Sequence, residues 1–276
     1  MINNVIDIHT HIIPGVDDGC KDDVMCLAML RKAVASGTQA IFATSHVFSA
    51  AECPVWDDLL TGVQKVRKMA QENNLKLKIY SGSEVFMDWE LLPQIANNGS
   101  YCLNGEHFGE QPVTYILVEL PMHFIPQYAD EFWYELRLKG VTPILAHPER
   151  YQELMTKTAK LLQWRKEGLL LQCNAGSFAG KFGESAEHAA KILLKNNLVD
   201  FLGSDAHRDV GRDTDMREGI KVICELAGDV AAKRILLINP QKLVTGEKVD
   251  VFVPKNIVKD VKKSFWIKIF DKLFTW

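Results

Sequence analysis

Short apolar runs alternate with amphipathic stretches along nearly the whole chain. Val5–Ile8, Ala40–Ala43, Leu77–Tyr80, Tyr115–Val118, Pro143–Ala146, Leu169–Gln172 and Val199–Leu202 have the length and apolar content of buried strands. Between them, apolar residues recur at three- and four-residue spacing. One stripe runs Val24, Leu27, Leu30, Arg31, Val34 and stops at Gly37; a second is Leu59, Val63, Val66, Ala70; a third is Phe132 and Leu136 before Gly140. Strand and helix alternating at intervals of about 30 residues predict βαβ units and a parallel sheet. Seven repeats without a linker-like break predict a closed seven-stranded α/β barrel. An open doubly wound sheet is the alternative, but the chain has no Gly-x-Gly-x-x-Gly or Walker-type loop to support it.

The residues that end these runs carry the chemistry. His9 and His11 close the first strand, His46 (Thr-Ser-His) the second, Glu84 (Gly-Ser-Glu) the third and Glu119 (Leu-Val-Glu) the fourth. His147 (Ala-His-Pro-Glu-Arg) follows the fifth, and Asp205 with His207 (Ser-Asp-Ala-His) the seventh. In a parallel barrel all these positions converge on the C-terminal rim, where active sites form. Alternation along an extended chain predicts His9 and His11 on one side, and Pro14-Gly15 then turns the chain into Asp17 and Asp18. A single histidine of this kind reads as well as a hydrogen-bonded core residue; five of the eight histidines at strand ends do not.

With Asp18 the rim offers nine ligand-type side chains: five histidines, two glutamates and two aspartates. One divalent ion takes about four to six donors, so the set suits about two or three ions sharing a carboxylate. Imidazole and carboxylate without thiolate suit manganese, iron, cobalt or zinc alike. Clustered cations acidify water and neutralise charge on a phosphoryl group, so hydrolysis is the expected reaction class. Arg150 lies three residues after His147, and Arg212 five after His207. Guanidinium groups match phosphate oxygens in bidentate fashion, although each arginine alone also reads as a surface ion pair. Two on one rim favour a phosphate ester over an amide or a neutral sugar.

Composition narrows the picture further. The 276 residues are 47% hydrophobic and 24% charged, enough for a substantial core without staples. A net charge of -3 shows no basic excess, so a nucleic-acid partner is not expected. The six cysteines (20, 26, 53, 102, 173, 224) form no Cys-x-x-Cys pair and no disulfide framework. None has arginine six positions later, which removes the cysteine-dependent route to phosphotyrosine hydrolysis. No signal peptide is read ahead of the histidine motif and no apolar run reaches membrane-span length, so a cytoplasmic protein is expected.

The motifs His9-Thr10-His11, Asp17-Asp18-Gly19, Thr44-Ser45-His46, Gly82-Ser83-Glu84, Glu119, Ala146-His147-Pro148-Glu149-Arg150 and Ser204-Asp205-Ala206-His207 resemble, in this order, the polymerase-and-histidinol-phosphatase (PHP) superfamily. Within it, the chain is similar to the bacterial manganese-dependent tyrosine-protein phosphatases encoded with capsular and exopolysaccharide genes. The resemblance spans about Ile6 to Pro240. It implies a distorted (β/α)7 TIM-like barrel over residues 1–254, a trinuclear metal site, and a substrate on the phosphotyrosine tail of a tyrosine autokinase that controls polysaccharide export. Carried over to this chain, it implies a first metal on His9, His11, Glu84 and Asp205. A second would share Glu84 and add Glu119 and His147, and a third would use Asp18, His46 and His207. Arg150 and Arg212 would grip the phosphate. Asp18 stands where many PHP phosphatases outside this branch carry histidine, which favours the tyrosine-phosphatase branch over a histidinol-phosphate phosphatase, the alternative function. A regulatory module that keeps the barrel but lacks catalysis would need missing ligands, and none is missing. The helix expected around Asp22–Ser36 lacks the glutamate-rich pattern that some relatives use to form rings, so a homo-oligomer is neither required nor excluded.

The phenol of tyrosine, with a pKa of about 10, leaves more readily than an alkoxide, and a strong general acid is not required; Asp205 or a metal-bound water are the candidates for that role. His107, His123 and His188 stand outside the ligand set. Phe124 and Tyr128 are candidates for an apolar wall against a phenyl ring or for ordinary packing, and Asn174 and Ser177 for hydrogen bonds in the site or an ordinary turn. Residues 255–276 read as a separate basic amphipathic tail: six lysines against two aspartates, with Val258, Val261, Phe265, Ile269 and Leu273 spaced mainly by four. Such a segment suits an anionic membrane surface at the inner face, a partner, or the outside of the barrel.

Overall fold

The computed structural model describes residues 2–258. Seven parallel strands stand side by side in chain order: β1 (Val5–Thr10), β2 (Thr38–Val47), β3 (Lys78–Phe86), β4 (Thr114–Glu119), β5 (Val141–Ala146), β6 (Leu170–Asn174) and β7 (Phe201–Gly203). Among the described residues, nine α-helices lie between or after them: α1 (Asp23–Ala35), α2 (Trp56–Glu72), α3 (Ala129–Leu138), α4 (Gln152–Thr156), α5 (Thr158–Lys166), α6 (Ala175–Phe178), α7 (Glu184–Lys195), α8 (Arg217–Lys233) and α9 (Asn239–Thr245). The ring closes where β1 meets the chain leaving β7. There the Asp205 N–H donates to the His9 carbonyl (2.8 Å) and the His11 N–H to the Ala206 carbonyl (3.0 Å), beside a parallel bridge between Thr10 and Ala206. A buried carboxylate reinforces the seam: Asp7 accepts the Ser204 N–H at 2.8 Å, the Thr10 hydroxyl at 2.9 Å and the His9 N–H at 3.2 Å. The seven-stranded barrel expected from the repeats is the fold observed.

Each strand divides its side chains between two cores. Ile6, Ile8, Ala40, Phe42, Tyr115, Leu117, Ile144, Ala146, Leu170 and Phe201, joined by Tyr80, form one cluster with contributions from all seven strands, which fills the barrel interior. Val5, Ile41, Ala43, Ile116, Val118, Leu145 and Leu171 face the other way and pack under the helices. Period two then carries the interior face upward onto His46, Glu84, Glu119, Gln172 and Asp205. β1 departs from this parity: Ile6 and Ile8 face inward, yet His9 and His11 are the residues aimed at the centre. Its pairing with β2 shifts register between Asp7 and Thr10, a bulge of the kind that re-aims side chains beside active sites. The two histidines do share a side, but the bulge and not simple alternation places them over the interior.

The strands are longer than the apolar runs suggest. β2 and β3 continue through His46 and Glu84, which sit opposite each other in register. The second helical stripe, Leu59, Val63, Val66 and Ala70, is the buried face of α2, and Phe132 and Leu136 are buried on α3 with Ala129 and Trp133. The first stripe was misplaced. α1, capped by the Asp22 carboxylate on the Met25 N–H (2.9 Å), buries Cys26, Met29, Leu30 and Ala33 and leaves Val24 at 81% exposure. Cysteine and methionine pack as hydrophobes here, which a stripe drawn through branched aliphatics overlooks. Of the proposed tail, 255–258 belong to the described residues and 259–276 lie outside them.

Below the rim, Arg165 on α5 and Asp200 ahead of β7 are both fully buried and joined by two hydrogen bonds, Nη1 to Oδ2 and Nη2 to Oδ1. Nη1 also reaches the Leu169 carbonyl (2.8 Å) and Nη2 the Phe252 carbonyl (2.9 Å), and Asp200 also takes the Leu171 N–H at 2.8 Å. Arg165→Ala leaves that buried carboxylate with only the Leu171 N–H and Arg234 Nη1 at 4.0 Å, so the unfolding free energy should fall by about 3 kcal/mol, read from a urea denaturation midpoint at unchanged slope.

Candidate metal centre

All nine predicted ligands meet on the C-terminal rim. His9, His11, Glu84 and Asp205 form one buried group with ligand atoms within 4.8 Å of one another; His11, Asp18, His46 and His207 form a second and His46, Glu84 and Glu119 a third. The Glu84 carboxylate lies 3.0 Å from His9 Nε2, 3.2 Å from His11 Nε2, 3.3 Å from His46 Nδ1 and 2.8 Å from His147 Nε2. It is therefore the shared carboxylate between groups. His147 reaches Glu119 only at 4.0 Å, whereas His46 Nδ1 reaches it at 3.1 Å. The geometry thus adds His46 beside Glu84 and Glu119, and His11 beside Asp18, His46 and His207. His147 and Asp205 both adopt left-handed backbone, at φ of 33° and 53°, a strain of about 1–3 kcal/mol each that often marks functional sites.

A hydrogen-bond chain around the first group settles which ring nitrogens carry protons. The Asp205 carboxylate can only accept, so Asn174 Nδ2 donates to its Oδ2 at 2.7 Å. Asn174 Oδ1 then accepts from Gln172 Nε2 (2.9 Å), and Gln172 Oε1 is left to accept the His9 Nδ1–H (2.9 Å). His11 Nδ1–H donates to Asp17 Oδ2 at 2.9 Å and His207 Nδ1–H to the Asp205 carbonyl at 3.1 Å. The Nε2 atoms of His9 and His11 consequently face each other at 3.1 Å, with the Glu84 carboxylate beside them. Lone pairs and a carboxylate at this separation call for positive charge between them. Glu84 Oε2, Glu119 Oε1, His46 Nδ1 and His207 Nε2 are likewise buried without a hydrogen-bond partner. The donor set fits divalent cations: imidazole nitrogen and carboxylate oxygen, oriented from behind.

The electrostatics agree. Burial disfavours charge on His11, but Asp17 and Glu84 outweigh it and push the imidazole up to about 10; His9 is raised as well, burial being overcome by Glu84 and Asp205. These carboxylates hold positive charge at the centre, as a proton or as a metal. Burial, His11 and Arg212 drive His207 down to about 2, keeping it a neutral donor. Burial alone would raise Glu84 and Asp205, yet the surrounding imidazoles and, for Asp205, Arg212 hold both carboxylates low.

Arg150 and Arg212 also come to the rim, and both bind Asp205: Arg150 Nη1 to Oδ2 at 3.2 Å, Arg212 Nη2 to Oδ1 at 2.5 Å and Arg212 Nε to the carbonyl at 2.8 Å. Asp205 is thus an ionised acceptor for three donors and has no proton to give, which argues against the general-acid role considered for it. Asp18, 63% exposed, presents Oδ1 at 3.3 Å from His207 Nε2 and 3.6 Å from His46 Nε2. Its neighbour Asp17 instead supports His11 and the His46 N–H (2.9 Å) from outside. Gly19 is needed in that turn, since a Cβ would lie 2.4 Å from His11 Cβ.

Several residues here escaped the sequence reading. Gln172 was overlooked although it sits two positions before Asn174 on one strand face, the signal that would have found it. Glu149, fully buried, accepts the Asn174 N–H (2.9 Å) and the Ser177 hydroxyl (2.7 Å). Arg208 ties the Asp18 and Gly19 carbonyls to the His207 loop. Two aromatic rings among the described residues lie against candidate ligands: Phe48 stacks on His46 with centroids 4.2 Å apart, and Tyr151 lies 5.5 Å from the His147 ring. Tyr128 instead donates to the Met87 carbonyl (3.0 Å) and packs near Trp89, and Phe124 is exposed. His107 pairs with Glu110.

Comparison with known proteins places this geometry. Residues 5–245 match the CpsB/CapC capsular polysaccharide synthesis family. The chain is 31% identical over 219 residues to the tyrosine-protein phosphatase YwqE of Bacillus subtilis, covering 79% of this chain and 84% of that protein. It is 27% identical to the tyrosine-protein phosphatase CpsB of Streptococcus pneumoniae, over 87% and 98% of the two chains. A crystal structure from a study of YwqE and CpsB, described as unique metal-dependent tyrosine phosphatases, superposes with a TM-score of 0.83 at 29% identity, covering 92% of this chain and 99% of that one. A β-aspartyl dipeptidase from Fervidobacterium islandicum shares only the fold, with a TM-score of 0.56 at 14% identity over 92% and 78% of the chains.

If the Asn174–Gln172 chain orients His9, Gln172→Ala should weaken divalent-cation binding by about 10–100-fold, measured by calorimetry on chelator-stripped protein. An unchanged affinity would assign the amide chain to packing alone.

Proposed function

The chain belongs to the CpsB/CapC family of capsular polysaccharide synthesis, and on that premise we propose that it is a metal-dependent protein-tyrosine phosphatase acting on a tyrosine autokinase of polysaccharide export. The observation that carries the reading is the convergence of nine ligand-type side chains and two arginines on one rim. His9, His11, Glu84 and Asp205 would hold one ion, Glu84 with Glu119, His147 and His46 a second, and Asp18, His207, His11 and His46 a third. Manganese is the proposed metal. When bound, the ions supply Lewis acidity that activates water and neutralises phosphoryl charge.

The chain's own residues do the rest. Arg150 and Arg212 bind the phosphoryl oxygens through paired N–H groups, exchanging part of their contact with Asp205 for the substrate. Asp205 stays ionised and holds the two guanidinium groups on a common centre. Gln172 and Asn174 keep His9 in the tautomer whose Nε2 faces inward. Phe48, 47% exposed beside His46, offers an apolar face to a phenyl ring. The departing phenolate, with a conjugate-acid pKa of about 10, needs no strong acid from the protein. The lysine-rich segment 255–276 supplies contact with an anionic membrane surface at the inner face, near a membrane-bound kinase. Among the described residues no helix is long and apolar enough to cross a membrane.

A phosphotyrosine peptide should be hydrolysed with added manganese, lose turnover on chelation, and regain it on readdition. His147→Ala and Arg150→Ala should each lower kcat/KM by about 100-fold or more. A clear kinetic preference for histidinol phosphate over the peptide would instead favour a metabolite phosphatase. Truncation after Pro254 should leave hydrolysis of p-nitrophenyl phosphate unchanged while reducing sedimentation with vesicles containing phosphatidylserine; metal loss on truncation would make the segment structural.

A further inference from the structure

Between α6 and α7 a single aromatic ring underlies both arginines. The guanidinium carbon of Arg150 lies 4.9 Å from the centroid of Phe182 and that of Arg212 lies 5.7 Å from it. The three residues come from separate loops, after β5, after α6 and after β7, so nothing in the local chain brings them together. The ring is itself held in place: a Cβ on Gly176 would lie 2.8 Å from Phe182 Cε2, so its close seat on α6 depends on glycine. Phe182 and Arg212 both help to wall a cavity of about 500 Å³, whose lining also includes Lys181, Ser204, Asp213 and Asp215.

We infer that Phe182 is a positioning residue for phosphate binding, the aromatic platform that keeps Arg150 and Arg212 converged when a phosphoryl group draws them from Asp205. This rests on the reading of those arginines as the phosphate grip. Two like charges side by side repel, and in the absence of substrate Asp205 offsets that repulsion with both carboxylate oxygens. Once the phosphate competes for the N–H groups that face the carboxylate, the ring remains as a contact shared by both arginines, beside the Asp205 carbonyl that takes the Arg212 Nε–H, because a guanidinium can lie against an aromatic surface while its edge donates hydrogen bonds. Without the ring, Arg212 has the adjoining cavity to rotate into. A leucine would fill much of the space but offers no quadrupole to the cations.

The test uses the full-length, manganese-loaded enzyme with p-nitrophenyl phosphate as substrate and inorganic phosphate as competitive inhibitor. Phe182→Ala and Phe182→Leu should each raise KM and the phosphate inhibition constant about tenfold, with kcat changed less than about threefold. Phe182→Tyr should restore both constants to within about twofold of the wild type. Calorimetric manganese binding should be unchanged in Phe182→Leu and Phe182→Tyr. Should Phe182→Ala fail to fold, Phe182→Leu decides. Wild-type constants in Phe182→Leu would overturn the inference, since apolar volume would then suffice; so would failure of Phe182→Tyr to recover phosphate affinity. Arg150→Ala separates this from the wider reading: harmless loss of that arginine defeats the phosphate grip itself, whereas a damaging Arg150→Ala beside a harmless Phe182→Leu defeats only the platform.

Discussion

Lone pairs that face one another across 3.1 Å, with a carboxylate at the same spot, are stable only around positive charge. That constraint organises the rim. His9 and His11 expose Nε2 because their Nδ1 protons are taken from behind by Gln172 and Asp17, and Glu84 sits where four imidazoles can reach it. The same negative centre raises His11 and His9, with burial working against the shift. A water-filled rim would screen such charges; a buried one does not. The cost of collecting them falls on the scaffold, which holds them with a ring of closed strands.

Closure of the barrel and construction of the site turn out to be one event. The backbone bonds that join β1 to the chain after β7 are made by His9, His11, Asp205 and Ala206, so three of the candidate ligands also make the seam. Asp7 reinforces it with three accepted hydrogen bonds. The bulge in β1 permits both roles, because it turns the histidines inward while Ile6 and Ile8 keep their places in the interior core. A register slip here would detach the first group and open the barrel together. Asp205 has a similar double duty. Its backbone closes the seam, while its carboxylate gathers Arg150, Arg212 and Asn174.

The relation to the CpsB/CapC family gives this arrangement its chemistry, and the physical features of the rim give that chemistry its reason. Phosphate monoesters demand both charge neutralisation and orientation. The metal-ligand groups suit the first, and two arginines fixed by a carboxylate and an aromatic ring suit the second. Outside the rim the molecule uses ordinary means: a buried Arg165–Asp200 pair beneath β6 and β7, and an interior core drawn from every strand.

Periodicity and motif order were enough to read seven βα repeats and the closed barrel, and to name nine ligand-type side chains that the fold gathers on one rim, because strands and the polar residues at their ends repeat a local grammar: an apolar run, then a polar residue. The buried faces of α2 and α3 were legible for the same reason. What local grammar does not encode is who stands behind whom. The stripe on α1 was misplaced because cysteine and methionine serve as core residues there. The supporting place of Asp17, behind His11 and the His46 N–H beside its neighbour Asp18, is visible only in the fold. Gln172, Arg208 and Phe182 carry no motif, and Glu149 stands in one that gives it no role, since each acts on a residue far away in sequence. The chain by itself thus determined which side chains could bind cations and phosphate. Tertiary structure decided their tautomers, their grouping and their supports, because those depend on distances between strands that meet only when the barrel closes.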